Sequence, residues 1–226
     1  EAEFIATKIL EIMDTPNLEQ EIAVLYRANF QSRVLEEALL RYSVPYQVLG
    51  VKFFERKEIK DTLAYLRAAM NPENLSDIKR IINFPPRGIG KVTLLKVLSG
   101  EKETLPIKVK MKVDNFYNTL EKIREKITEL KTSELIKFTV KVSGIEETLG
   151  HGDEEEKERL ENIKELATLA IKYDNLPNGV GLERLLEDAS LASDQDSIMH
   201  AEERREEKRG VKLMTVHAAK GLEFKY

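Results

Sequence analysis

The chain has 226 residues, 34% of them charged, and a formal net charge of -4. It has no cysteine, which excludes disulfides, thiolate catalysis and Cys-based zinc sites. Its three histidines, His151, His200 and His217, offer no pair at helical metal spacing, and no apolar run is long enough to span a bilayer or patterned as a signal peptide.

Residues 1–13 place Phe4, Ile5, Ile9, Leu10 and Ile12 at helical spacing. The run IAVLYR at 22–27 reads as a strand, 31–42 as a helix with Val34, Leu35, Ala38 and Leu39 on one face, and 46–49 as a second short strand. Residues 58–70 read as another amphipathic helix. From 75 to 200 the periods are helical, at 75–82, 92–98, 113–130, 134–149, 155–173 and 182–192. The one exception is a candidate strand at 106–110. Residues 211–216, VKLMTV, return to strand.

Strand–helix–strand–helix at one end and a strand at the other predict a parallel α/β sheet. Neither part can bury a sheet alone, so an all-helical block inserted into one α/β domain is expected, giving a chain that is mostly helical overall. Residues 71–74 would be the entry linker and the charged run 201–210 the exit. The alternative is one continuous α+β domain. The chain stops soon after a polar cluster at a strand end, so it is expected to be a piece of something larger.

Several constellations carry chemistry, each beside a plainer reading. At a strand end, Tyr26 can stack a base and Arg27 can reach a phosphate with its planar fork; equally, Tyr26 packs in the core and Arg27 is a surface cation. Residues 52–61, KFFERKEIKD, set two aromatics between cations, which suits single-stranded nucleic acid, or a helix entry with one Phe buried. In PPRGIGK at 85–91, Gly88, Ile89 and Gly90 open a helix, where backbone N–H groups can hold a phosphate, with Arg87 and Lys91 adding charge. The plainer reading is a turn between helices. It is not a Walker A loop, because Val92 follows Lys91 and Pro85 stands where a glycine is needed. The acidic runs 153–158 and 202–207 read as solvated helix faces. Net acidity argues mildly against nucleic-acid binding, but segments 52–60, 80–96 and 108–112 are locally basic.

Taken in order, IAVLYRANFQSRVLEEAL, PYQVLGVKFFERKEIKDTLAYLR, IINFPPRGIGKVTL, RLENIKEL and VKLMTVHAAKGLEF make the chain resemble the second half of UvrD/PcrA/Rep-type superfamily 1 DNA helicases. The resemblance implies a split RecA-like (P-loop NTPase-like) domain 2A at 1–74 and 206–226, truncated after motif V, interrupted by helical domain 2B at 75–205. It implies that Tyr26 stacks on adenine, Arg27 reaches the γ-phosphate, Glu223 contacts the ribose and Gly221 allows close approach there. Thr215 and His217 match positions near single-stranded DNA, Lys52 a further single-strand contact, and Gly88-Ile89-Gly90 the loop that touches duplex ahead of the fork. It implies ATP with Mg2+ in a longer parent, with 3′ to 5′ movement, and no cofactor bound to this piece alone. The implied partners are single-stranded DNA, single–double strand junctions, an N-terminal motor domain and proteins of repair or replication. The implied setting is the bacterial cytoplasm, on the nucleoid, with no membrane. No Walker A, Walker B pair or motif VI arginine is found, so the piece alone is expected neither to hydrolyse ATP nor to unwind DNA. The competing readings are a DNA- or protein-binding adaptor, and the motor portion of a helicase–nuclease.

Overall fold

The computed structural model describes residues 1–13, 21–202 and 210–226, with the last turns of its longest helix as backbone only. It is mostly helical with one small parallel sheet. The chain divides into two compact units, 1–56 with 191–226, and 57–190.

The first unit contains α1 (Ala2–Ile12), β1 (Ala23–Tyr26), α2 (Ser32–Arg41), β2 (Tyr46–Val48) and β3 (Val211–Thr215). The sheet order is β1-β3-β2, all parallel, so the last strand in sequence is the central one. Central position demands apolar residues on both faces, and Val211, Leu213 and Met214 are fully buried. Ala6 and Ile9 of α1, and Leu35, Ala38 and Leu39 of α2, join Ile22, Tyr26, Val44, Val211 and Leu213 in one core. Entry to β3 is tight. A Cβ on Gly210 would lie 3.1 Å from Pro45 C, Pro45 O and Tyr46 N, and its φ of +149° is a conformation other residues rarely adopt. On the other side of β1, Ala23 N–H donates to Tyr226 O at 3.0 Å and Lys225 N–H to Glu21 O at 3.0 Å.

The second unit holds α3 (Lys57–Met70), α4 (Leu75–Ile81), α5 (Lys91–Leu98), α6 (Ile107–Lys126), α7 (Thr132–Ser143), α8 (Ile145–Gly150), α9 (Glu154–Ala170) and most of the described side chains of α10 (Val180–Glu202). Helix α3 is buried on nearly every side, the mark of a central helix. Most of its buried polar groups are matched, though Asp61 Oδ2 has no hydrogen-bond partner among the described residues. Glu58 accepts from Asn162 Nδ2 at 2.5 Å, and Asp61 pairs with Arg80 at 2.6 Å. Arg67 at the far end grips Asp77 with contacts of 2.8–3.2 Å. Burial raises the Asp61 carboxyl above its ordinary pKa, against the pull of Arg80.

Two expectations differ from these elements. Residues 106–110 are not a strand: Pro106 is the N-cap of α6. The alternation Ile107, Val109, Met111, Val113 looks strand-like, but Val113, Phe116, Leu120 and Ile123 form the buried helical stripe, and Ile107 and Met111 stay exposed. The helix expected over 134–149 is two helices, because Gly144 adopts φ +84° and closes α7 as a left-handed cap. By contacts, α3, the helix expected at 58–70, packs with the other helices of the second unit. The charged run 201–210, its acidic stretch and the boundary expected at 205/206 lie largely outside the described residues.

Candidate functional site

The sheet of the first unit brings two distant loops together. Tyr26, the last residue of β1, is in register with Thr215, the last of β3, and Val216 N–H donates to Tyr26 O at 2.9 Å. The carboxyl ends of adjacent parallel strands are where α/β sheets hold ligands. The first loop is held by Gln31, whose Oε1 accepts from Arg27 N–H at 3.0 Å and Ala28 N–H at 2.9 Å. The Arg27 side chain is exposed, with no ion-pair partner among the described residues. In the second loop, Thr215 Oγ1 accepts from Ala218 N–H at 3.2 Å and Thr215 O from Ala219 N–H at 3.1 Å. This compact turn leaves His217, Lys220, Gly221 and Glu223 exposed.

The expected site residues do not all converge. Tyr26 is only 7% exposed and belongs to the core. Burial, then Glu36, push its hydroxyl up, while Arg56 and a bond with Ser32 pull the other way. Packing is therefore its evident role. Glu223 borders a different surface, an open depression lined by Ala23, Leu25, Leu222, Phe224 and Tyr226. Lys52 is half-buried at the start of a 3-10 turn in which Phe53 is buried and Phe54 partly so.

A residue that sequence reasoning missed sits behind the first loop. Arg56 is 5% exposed. Its guanidinium donates to Asn29 O at 2.7 Å, Ser32 Oγ at 2.8 Å and Val51 O at 3.3 Å, and lies 5.4 Å from the Phe53 ring centre. It ties the loop after β1 to the turn before α3. A buried arginine satisfied by carbonyls has no spacing signature; the aromatic-flanked basic run 52–60 was the one hint.

The second candidate surface lies wholly in the helical unit. Asn83 Oδ1 accepts from Arg87 N–H at 2.9 Å and Ile89 N–H at 3.1 Å, shaping the turn into α5. Ile89 is 4% exposed and anchors the loop, while Gly88, Gly90 and Lys91 are exposed. Gly90 is the N-cap of α5. Arg87 turns inward. It donates to Ile81 O at 3.3 Å, Ile82 O at 3.4 Å, Pro85 O at 3.1 Å, Ser143 O at 3.1 Å and Tyr65 Oη at 2.8 Å. Its guanidinium lies 5.4 Å from the Phe116 ring centre and 5.9 Å from that of Tyr65. The Tyr65 hydroxyl donates to Phe84 O, and burial raises its pKa to about 12, so it stays neutral.

Among the described residues, no group of three or more His, Cys, Asp or Glu side chains could hold a metal ion, and no helix is long and apolar enough to cross a membrane. A family model described as the UvrD-like helicase C-terminal domain matches residues 1–226. The chain is 35% identical to the ATP-dependent DNA helicase PcrA of Staphylococcus aureus (strain NCTC 8325 / PS 47) over 243 residues, covering 99% of this chain and 32% of that protein. It is 35% identical to the ATP-dependent DNA helicase PcrA of Bacillus subtilis (strain 168) over 242 residues, covering 99% and 33%. The chain thus spans about a third of the length of the curated relatives it matches.

Proposed function

Since this chain belongs to the UvrD-like helicase C-terminal domain family, we propose that it is the second motor half of an ATP-dependent 3′–5′ DNA helicase or translocase. The supporting observation is the pairing of β1 with β3, which sets the loop carrying Arg27 beside the loop carrying Thr215 and His217. One loop would face nucleotide and the other single-stranded DNA, so the sheet links the two events. In this reading residues 1–74 and 206–226 are a RecA-like domain 2A, and 75–205 an inserted domain 2B.

Arg27 is the residue proposed to act on the nucleotide. An exposed guanidinium with no carboxylate partner among the described residues can meet the charge that builds on a transferring phosphoryl group. Glu223 would accept from the ribose hydroxyls, with Gly221 leaving room for close approach. Tyr26 is assigned to adenine only by its motif position; its burial supports holding the strand end. The residues present fit part of a nucleotide site. They provide a cation and a hydroxyl acceptor but, among the described residues, no phosphate-cradling loop and no carboxylate set for Mg2+. Those groups would come from the other motor half. Lys52, Thr215 and His217 are the proposed single-strand contacts, and the loop Gly88-Ile89-Gly90 with Lys91 the duplex contact.

The test is ATP turnover in the longer protein that the proposal requires. Arg27→Ala is expected to lower DNA-stimulated turnover by about 10³-fold or more, the scale of an arginine acting on the transition state. Turnover within a few-fold of wild type would overturn this role. The 226-residue chain by itself is expected to show no DNA-dependent turnover.

A further inference from the structure

The motif that suggests a duplex contact contains its own arginine, yet that arginine is spent inside the fold. Arg87 already has five oxygen acceptors and lies close to two aromatic rings. Turning it out to a phosphate would give up its hydrogen bonds to four backbone carbonyls and a buried tyrosine, each at a cost. A different cation reaches the loop from outside. Lys112, on α6, brings its ammonium to Gly88: a Cβ built on that glycine would stand 2.9 Å from Lys112 Nζ. Lys112 is exposed and has no ion pair among the described residues. Its neighbours are different. Lys102 pairs with Asp114, and Lys110 with Glu103. One turn before Lys112, on the same side of α6, Lys108 is also exposed and without an ion pair among the described residues.

We infer that Lys112, not Arg87, is the cation that meets a duplex phosphate at the Gly88–Gly90 loop, and that Arg87 is a positioning residue that fixes the loop from behind. The inference rests on the duplex-contact reading of this loop and deepens it. A phosphate seated there would meet backbone N–H groups at the start of α5, with Lys91 on the same loop and Lys112 closing from the adjacent helix. Lys108 would extend the cationic face along the strand. Planarity matters for Arg87: a lysine carries the charge but cannot span several acceptors at once. At a phosphate contact, by contrast, lysine is an adequate substitute.

The experiment is binding of the 226-residue chain to a tailed DNA hairpin across a salt series, for wild type, Lys112→Ala, Arg87→Lys and Arg87→Ala. Lys112→Ala is expected to lower the slope of log K against log salt by about 0.9, the loss of one phosphate neutralised. Arg87→Lys is expected to weaken binding at every salt concentration, much as Arg87→Ala does, with the slope unchanged. Amide chemical shifts of Gly88 and Ile89 in the DNA-free chain give a second readout. The Ile89 amide, bonded to Asn83 Oδ1, should move in Arg87→Lys by much more than in Lys112→Ala. The inference is overturned if Arg87→Lys binds and resonates like wild type, or if Arg87→Ala lowers the slope and Lys112→Ala does not. A chain that binds no hairpin at all overturns the duplex reading and the Lys112 contact with it, while the amide shifts still judge Arg87.

Discussion

The strand-end loop of the α/β unit and the Gly88–Gly90 loop of the helical unit are built on one plan with unequal support. Each has an inward arginine that holds it from behind, Arg56 in the first and Arg87 in the second. Each has an outward cation that the fold leaves uncommitted, Arg27 in the first and Lys112 in the second. The backing differs. Arg87 is set among α3, α6 and the end of α7, with Tyr65 and Phe116 fully buried beside it. Arg56 lies beside the Phe53 ring, in a unit whose sheet has three short strands. Regions with fewer buried contacts open more readily. The strand-end loop is therefore the more yielding of the two, as a loop that must respond to nucleotide would be.

The largest effect should come from removing the ring beneath Arg87. Phe116→Ala is expected to cost about 3–5 kcal/mol, the usual range for a buried aromatic, measured by urea unfolding. A loss below about 1 kcal/mol would mean that the helical unit is not the stiffer of the two. Tyr65→Phe comes next. It removes one hydroxyl and leaves Phe84 O and Arg87 short of a partner, for about 1–3 kcal/mol. It also carries a pH signature. The Tyr65 pKa is raised in the folded state to about 12 from an ordinary value of 10.0, so between these the folded chain binds more protons than the unfolded one. Stability must then fall as pH rises through that window, and the part due to Tyr65 must vanish in Tyr65→Phe. Equal alkaline slopes for the two proteins would remove Tyr65 from the network.

In the α/β unit the matching probe is Gly210→Ala. Its Cβ would press within 3.1 Å of the Pro45 backbone at a φ that alanine avoids, so about 1–2 kcal/mol is expected. If hydrogen exchange in β2 and β3 is unchanged by the substitution, the sheet does not depend on that close approach.

What the sequence made legible follows the same division. The strands at 22–27, 46–49 and 211–216 could be read as short apolar runs between helical periods, most plainly in β3, the central and most buried strand. Most helices were visible through stripes such as Val113, Phe116, Leu120 and Ile123. The break at Gly144 was not, since a left-handed glycine is chosen by its cap geometry and its neighbours read as uninterrupted helix. The site was legible as a set of loops and illegible as a set of directions. The spacing in PPRGIGK says where Arg87 is, and only the fold says that it faces Tyr65 and Ser143. Arg56 and Lys112 left no more than the basic runs 52–60 and 108–112, because one acts through oxygens brought near in space and the other from a different helix.

The smallest expected change in stability is also the sharpest test of the plan. Arg27 is exposed, its backbone N–H is bonded to Gln31, and its guanidinium has no ion-pair partner among the described residues. Arg27→Ala should therefore change stability by no more than about 0.5 kcal/mol, as surface substitutions do. Arg56→Ala, behind the same loop, removes the bonds to Asn29 O, Ser32 Oγ and Val51 O and should cost about 2 kcal/mol. Urea unfolding of the two variants side by side sets the outward cation against the inward one. If Arg27→Ala proves as destabilising as Arg56→Ala, the Arg27 guanidinium is part of the fold rather than held ready for a ligand. The division between arginines that hold and cations that reach would then fail in this unit, whatever Arg87 and Lys112 do in the other.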